Sequence, residues 1–163
     1  MTELPDRVRR AFRRSDAFEP ASDAGAYRAT STAFDGVVRP EAREDGRTAF
    51  AVTVRVPTLD AVTTDDVAPV VEEGWYETFE LRVADVGSVA RGDHEFDPTV
   101  RRADGEAVVE FEFVDVDPDR GVEDARALVD FVEGTYVQGV IPGYEYTEPV
   151  SGIIAEARRA AGE

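Results

Sequence analysis

The sequence predicts an α+β fold: one antiparallel sheet of about five strands, in the order α-βββ-α-ββ-α-α, with helices mainly on one face. Three observations predict it. Asp-Gly dipeptides sit between β-like runs, and Asp-Gly is a leading hairpin signal. Apolar residues step by three and four through 67–86 and again through 122–136, the period of a helix face. The chain has 163 residues, 42% of them hydrophobic, which is enough for one compact domain over 1–163 with a core that needs no staples.

The first element is a basic amphipathic helix in LPDRVRRAFRR, with Leu4, Val8, Ala11 and Phe12 on one side and arginines on the other. A meander with strands near 26–34, 37–43 and 47–56 follows, with turns expected at Asp35-Gly36 and Asp45-Gly46. A two-residue loop at Asp45-Gly46 would set Phe50 against Glu41, placing charge on the core face. A three-residue loop, Glu44-Asp45-Gly46, sets Phe50 against Pro40 and Val52 against Val38, so the longer loop is expected.

Val67, Val71, Trp75, Phe79, Val83 and Val86 then trace one helix face, although WYETFELRV also alternates as a strand would. A second hairpin turns at Asp104-Gly105. Its register pairs Val100 with Val109, Pro98 with Phe111 and Phe96 with Phe113, giving one apolar side. Asp117-Pro118 reads as the N-cap and first residue of the next helix, whose stripe runs from Val122 to Tyr136. Gly134 and Gly139 are candidate terminators, and Ile141-Pro142-Gly143-Tyr144 fits a type II turn. A last helix is expected from about Pro149, with Ile153, Ile154 and Ala157 inward.

Charge narrows the setting. Thirty-five acids oppose 18 basic residues, all of them arginine, for a net charge of −17. Residues 1–14 carry five arginines against two acids, a net +3, so the rest of the chain carries −20. Such a body repels phosphate backbones, and no nucleic-acid partner is expected. The absence of Lys and Asn, with only three Ile, fits a GC-rich genome. Together with the charge it suggests a cytoplasmic protein of a salt-accumulating organism. No apolar run reaches the roughly 18 residues of a membrane helix, so no membrane partner is expected. There is no cysteine, hence no disulfide or thiolate chemistry.

GVEDARALVDFVEGTYVQGVIPGYEY, with VVEEGWYETFELRV upstream, resembles a small family of uncharacterised haloarchaeal proteins, over the whole chain. The GTYVQGVIPGYEY segment is the most specific part. The family carries no known activity, so the resemblance implies no catalytic residue. The element order also resembles the type III secretion chaperone fold, which implies a protein-binding role by analogy alone.

No motif fixes a chemistry. Asp115, Asp117 and Asp119 have EF-hand spacing, but Arg120 and Arg126 stand where that loop needs Gly and a bidentate Glu. His94, the only histidine, lacks a partner motif and reads as the start of an exposed strand. Asp65-Asp66, Glu72-Glu73 and Glu110 with Glu112 are carboxylate pairs of the kind that 35 acids produce by chance. No catalytic residue, metal ligand or cofactor is assigned.

The stretch 132–146 holds the only glutamine, three tyrosines and three glycines. It reads either as the junction of two helices or as a recognition loop using Tyr136, Gln138, Tyr144 and Tyr146. Two functions follow. The first is a non-enzymatic protein-interaction or regulatory module with a protein partner. The second is a small-molecule-binding protein or carboxylate-based enzyme using the tyrosine loop.

Overall fold

The computed structural model describes residues 4–86 and 95–160. Among the described residues, four α-helices accompany one six-stranded antiparallel sheet, which does not close. The strands are β1 (Phe18–Pro20), β2 (Tyr27–Ala29), β3 (Asp35–Ala42), β4 (Thr48–Pro57), β5 (Thr99–Ala103) and β6 (Glu106–Asp115). Their order across the sheet is β1-β2-β3-β4-β6-β5. The helices are α1 (Asp6–Arg14), α2 (Pro69–Ala84), α3 (Pro118–Gln138) and α4 (Val150–Ala160). The sheet has one strand more than expected: β1 is three residues long, too short for alternation to reveal it.

Both tested hairpin registers are present. Val38 faces Val52 and Pro40 faces Phe50, and Gly46 closes the three-residue loop at φ 86°. Val100 faces Val109 across Asp104-Gly105, whose φ values are 44° and 80°. Farther out the expected pairing slips by one residue. Asp97 adopts φ 43°, and the Glu112 N–H donates to the Phe96 carbonyl at 2.9 Å. Residues 95–98 lie outside β5, whose ladder begins at Thr99–Glu110, yet the Phe96 ring still meets Phe113 edge-on at 5.5 Å.

Asp35-Gly36 is not a turn but the start of β3. Gly36 is small there because α3 crosses it: a Cβ would stand 3.2 Å from Val129 Cγ1 and 3.3 Å from Ala29 Cβ. The strand expected over 26–34 is correspondingly short, with Phe34 buried in the connection.

Val52, Val54, Val56, Val109, Phe111 and Phe113 line the helix-facing side of β4 and β6. α3 lies over them with Val122, Ala125, Leu128, Val129 and Val132 buried. The Asp117 carboxylate caps α3 by accepting from the Asp119 and Arg120 N–H groups. α1 docks through Val8, Ala11 and Phe12, and Phe12 stacks on Tyr27 with centroids 3.9 Å apart.

The 67–86 periodicity forms a helix, α2, with Pro69 at its start and Trp75, Tyr76, Phe79 and Val83 buried. Two details at the C-terminal end differ from expectation. Gly134 lies inside α3, which ends at Gln138 with Gly139 as its C-cap. Ala157 is exposed on α4, while Ile153 is buried and Ile154 partly so. Among the described residues no helix is long and apolar enough to cross a membrane. His94 lies outside the described residues.

Candidate functional site

α2 and the last turns of α3 meet at an aromatic cluster. Trp75 and Phe79, one helical turn apart on α2, stack nearly parallel at 5.6 Å and 4°. The Tyr136 ring of α3 stands edge-on to both, at 5.6 Å and 6.2 Å, and to Phe34 at 4.9 Å. Tyr136 is buried, and its hydroxyl donates to the Pro57 carbonyl at 2.9 Å. Burial pushes that hydroxyl's pKa far up, with Tyr146 and Glu72 adding to the rise, so it stays a neutral donor.

Above this cluster the two helices part and leave a groove of about 420 Å³. Val71, Trp75 and Phe79 form its apolar side, Thr135, Gln138 and Gly139 the α3 side, and Ile141 one end. A second recess of about 300 Å³ shares Arg82, Thr135 and Gln138 with it and extends to Asp85, Phe131 and Gly134. A Cβ placed on Gly139 would lie 3.5 Å from Trp75 Nε1 and 3.8 Å from Arg82 Nη1, so both donors border one point of the groove.

The residues of 132–146 divide their roles. Gln138 is exposed and lines the groove. Tyr136 lies beneath it as core. Tyr146 is partly buried; its hydroxyl accepts from the Ile141 N–H at 2.9 Å and donates to the Ile141 carbonyl at 3.1 Å. It therefore holds Ile141 at the groove's end without lining the groove. Burial raises its pKa, and the Ile141 N–H opposes that rise. Tyr144 is also partly buried, following the turn in which Gly143 adopts φ 100°. Tyr146 forms a single antiparallel bridge with Thr63.

The acidic motifs are tied into structure. The buried Asp115 carboxylate takes two hydrogen bonds from Arg120, at 2.8 and 2.7 Å, and Asp119 pairs with Arg14 of α1 at 3.1 Å. The EF-hand spacing thus serves a helix start and the docking of α1. Glu72 accepts from the Asp60 N–H at 2.9 Å, Glu73 pairs with Arg102 at 2.9 Å, and Glu110 with Arg101 at 3.2 Å. Among the described residues no group of three or more His, Asp or Glu side chains is placed to hold a metal.

Trp75, Phe79 and Arg82 escaped the sequence reading as site residues. The two aromatics sit on an inward stripe and are indeed mostly buried, so periodicity assigns them to the core. The available signal was glycine: Gly74 inside α2 and Gly134 inside α3 have nothing within 4 Å of a would-be Cβ.

No curated protein and no solved structure matches the chain. Residues 13–156 match a family of unknown function, DUF5813, which spans α3, the groove and most of the remaining fold. The chain belongs to this family.

Proposed function

We propose that the chain is a non-enzymatic protein-interaction module of the cytoplasm of a salt-accumulating organism, and that it engages its partner through the α2–α3 groove. The observation that carries this reading is the groove's make-up. An apolar aromatic floor is edged by an exposed arginine, an exposed glutamine and two threonines, and it opens along two helices. Interface cores favour aromatic residues and arginine in that way.

The alternative, a carboxylate-based enzyme or small-molecule binder, draws less support. One carboxylate held above its ordinary pKa is Glu133, raised chiefly by burial, and it is engaged with the Ala33 N–H at 3.1 Å rather than lining the groove.

A pull-down from native lysate in molar KCl tests the reading. Gly74→Arg fills the groove from an open helix position, and Gln138→Ala trims its rim. Partners recovered by the parent chain should be lost with Gly74→Arg while the melting temperature holds. Undiminished recovery would place the interaction elsewhere. A metabolite-dependent thermal shift without recovered partners would favour the alternative.

A further inference from the structure

We infer that the α2–α3 groove recognises an extended peptide segment in which an apolar side chain neighbours a carboxylate. The inference rests on the protein-interaction reading and deepens it. Trp75 is only 6% exposed, yet its indole N–H has no hydrogen-bond partner among the described residues. Such a group is costly to leave unmade, and it can only donate. It faces the groove at Gly139, where Arg82 Nη1 borders the same point, and the Tyr136 carbonyl beside them already accepts from the Gly139 N–H at 3.0 Å. Arg82 is exposed and forms no ion pair among the described residues, although the chain carries 35 acids. A guanidinium also only donates, and its strongest bonds go to anions.

Two donor-only groups at one point call for an acceptor, and the positive charge selects a carboxylate. Thr135, 5% exposed, adds a hydroxyl at the same edge. The stacked Trp75 and Phe79 rings, with Ile141 beyond them, offer an apolar seat. The groove runs past Arg82 into the second recess, so it suits a chain rather than one compact ligand. The acidic body would repel such a segment in dilute buffer, but molar salt shortens the Debye length to about 3 Å and leaves the short-range contacts.

Trp75 is the single tryptophan, so its emission reports on the groove alone. The probe is acetyl-Ala-Ala-Phe-Glu-Ala-Ala-amide, titrated in molar KCl beside the peptide with Gln in place of Glu. The Glu peptide should change the emission saturably, and the Gln peptide should bind about tenfold more weakly, the scale of one charge-assisted hydrogen bond. Arg82→Gln, an exposed change, should keep the melting temperature and bind both peptides alike. Equal affinity of both peptides for the parent chain, or no response at millimolar peptide, overturns the carboxylate inference. The interaction reading fails separately, if Gly74→Arg leaves partner recovery intact, because a steric plug acts whatever the partner's chemistry.

Discussion

A Cβ placed on Gly121 of α3 would lie 2.3 Å from Cε2 and 2.4 Å from Cζ of Phe50 in β4. The helix therefore touches the sheet there through bare backbone. Phe50 cannot retreat: it is fully buried and stacks on Phe113 at 5.0 Å.

Gly121→Ala should therefore destabilise, against its helix propensity. Ala gains up to about 1 kcal/mol over Gly in a helix. Overpacking a tight core typically costs about 1–3 kcal/mol and more where the neighbours are fixed, so a net loss of about 2 kcal/mol is expected. Gly134→Ala is the control, since nothing lies within 4 Å of its would-be Cβ. It should gain about 0.5–1 kcal/mol. Denaturant melts at constant KCl check both, and a stable Gly121→Ala would show that α3 can ride higher on the sheet.

The three tyrosines of 132–146 should separate by stability. Tyr136→Phe removes the donor to the Pro57 carbonyl and should cost about 1 kcal/mol. Tyr136→Ala should cost about 3–5 kcal/mol, as large core truncations do. Tyr146→Phe should loosen Ile141 at the groove's end with a smaller loss, because the side chain is only partly buried. Tyr144→Ala should cost least. Equal losses at all three would mean that the segment packs as one unit.

What was legible in the sequence was what depends on neighbours along the chain. Register at Asp45-Gly46 and Asp104-Gly105 follows from loop length and the parity of apolar positions, and both ladders obey it. Asp117 and Pro118 signal a cap by chemistry that acts within one turn. Gly36 misled because two demands favour glycine. It read as a turn residue, and it is a strand residue kept small by Val129, which is 93 positions away in sequence. The groove was hidden for the same reason. Trp75 and Gln138 meet only because α2 and α3 pack side by side, and no local pattern records that. Within 132–146, Gln138 was placed at an accessible site, while Tyr136 went to the core that its own stripe had predicted.

Glu133 should give the melting curve a readable pH signature. Burial raises its pKa first, and Asp130 and Glu156 add to the rise, against the Ala33 N–H bond. A carboxyl whose folded pKa is raised favours folding when protonated, and that contribution is lost as pH rises through the folded value. At neutral pH the ionised group is thus a liability. Glu133→Gln can keep an oxygen on the Ala33 N–H and should melt above the parent at pH 7. The gap should shrink as pH falls toward the ordinary Glu value of 4.5. A gap that is constant with pH would assign the effect to packing instead of charge.

α1 should be part of the fold, not a free basic arm. Val8 and Phe12 are at most 1% exposed, Arg7 donates to the Gly46 carbonyl at 2.6 Å, and Arg14 reaches Asp119. Removing residues 1–14 uncovers Tyr27 and the first turns of α3, and should cost several kcal/mol at about 1.5–3 kcal/mol per large buried side chain. An unchanged melt of the truncated chain would show that the helix only rests on the surface.

Salt tests the electrostatic setting, and two effects compete. Screening weakens the surface ion pairs, such as Arg39–Asp23 and Arg101–Glu110, whose side chains are half exposed or more in most cases. Each such pair contributes only about 0–1 kcal/mol to begin with. Screening also relieves the repulsion of a chain at −17, and every unpaired carboxylate feels that field. The second effect should win, because the Debye length falls from about 10 Å at 0.1 M to about 3 Å at 1 M, below the spacing of most surface charges. The melting temperature should climb steadily with KCl over that range. Choline chloride at equal ionic strength should act alike if screening is the cause. A curve that is flat or falls with KCl would show that the ion pairs outweigh the net charge, and would remove the physical basis for a salt-accumulating host.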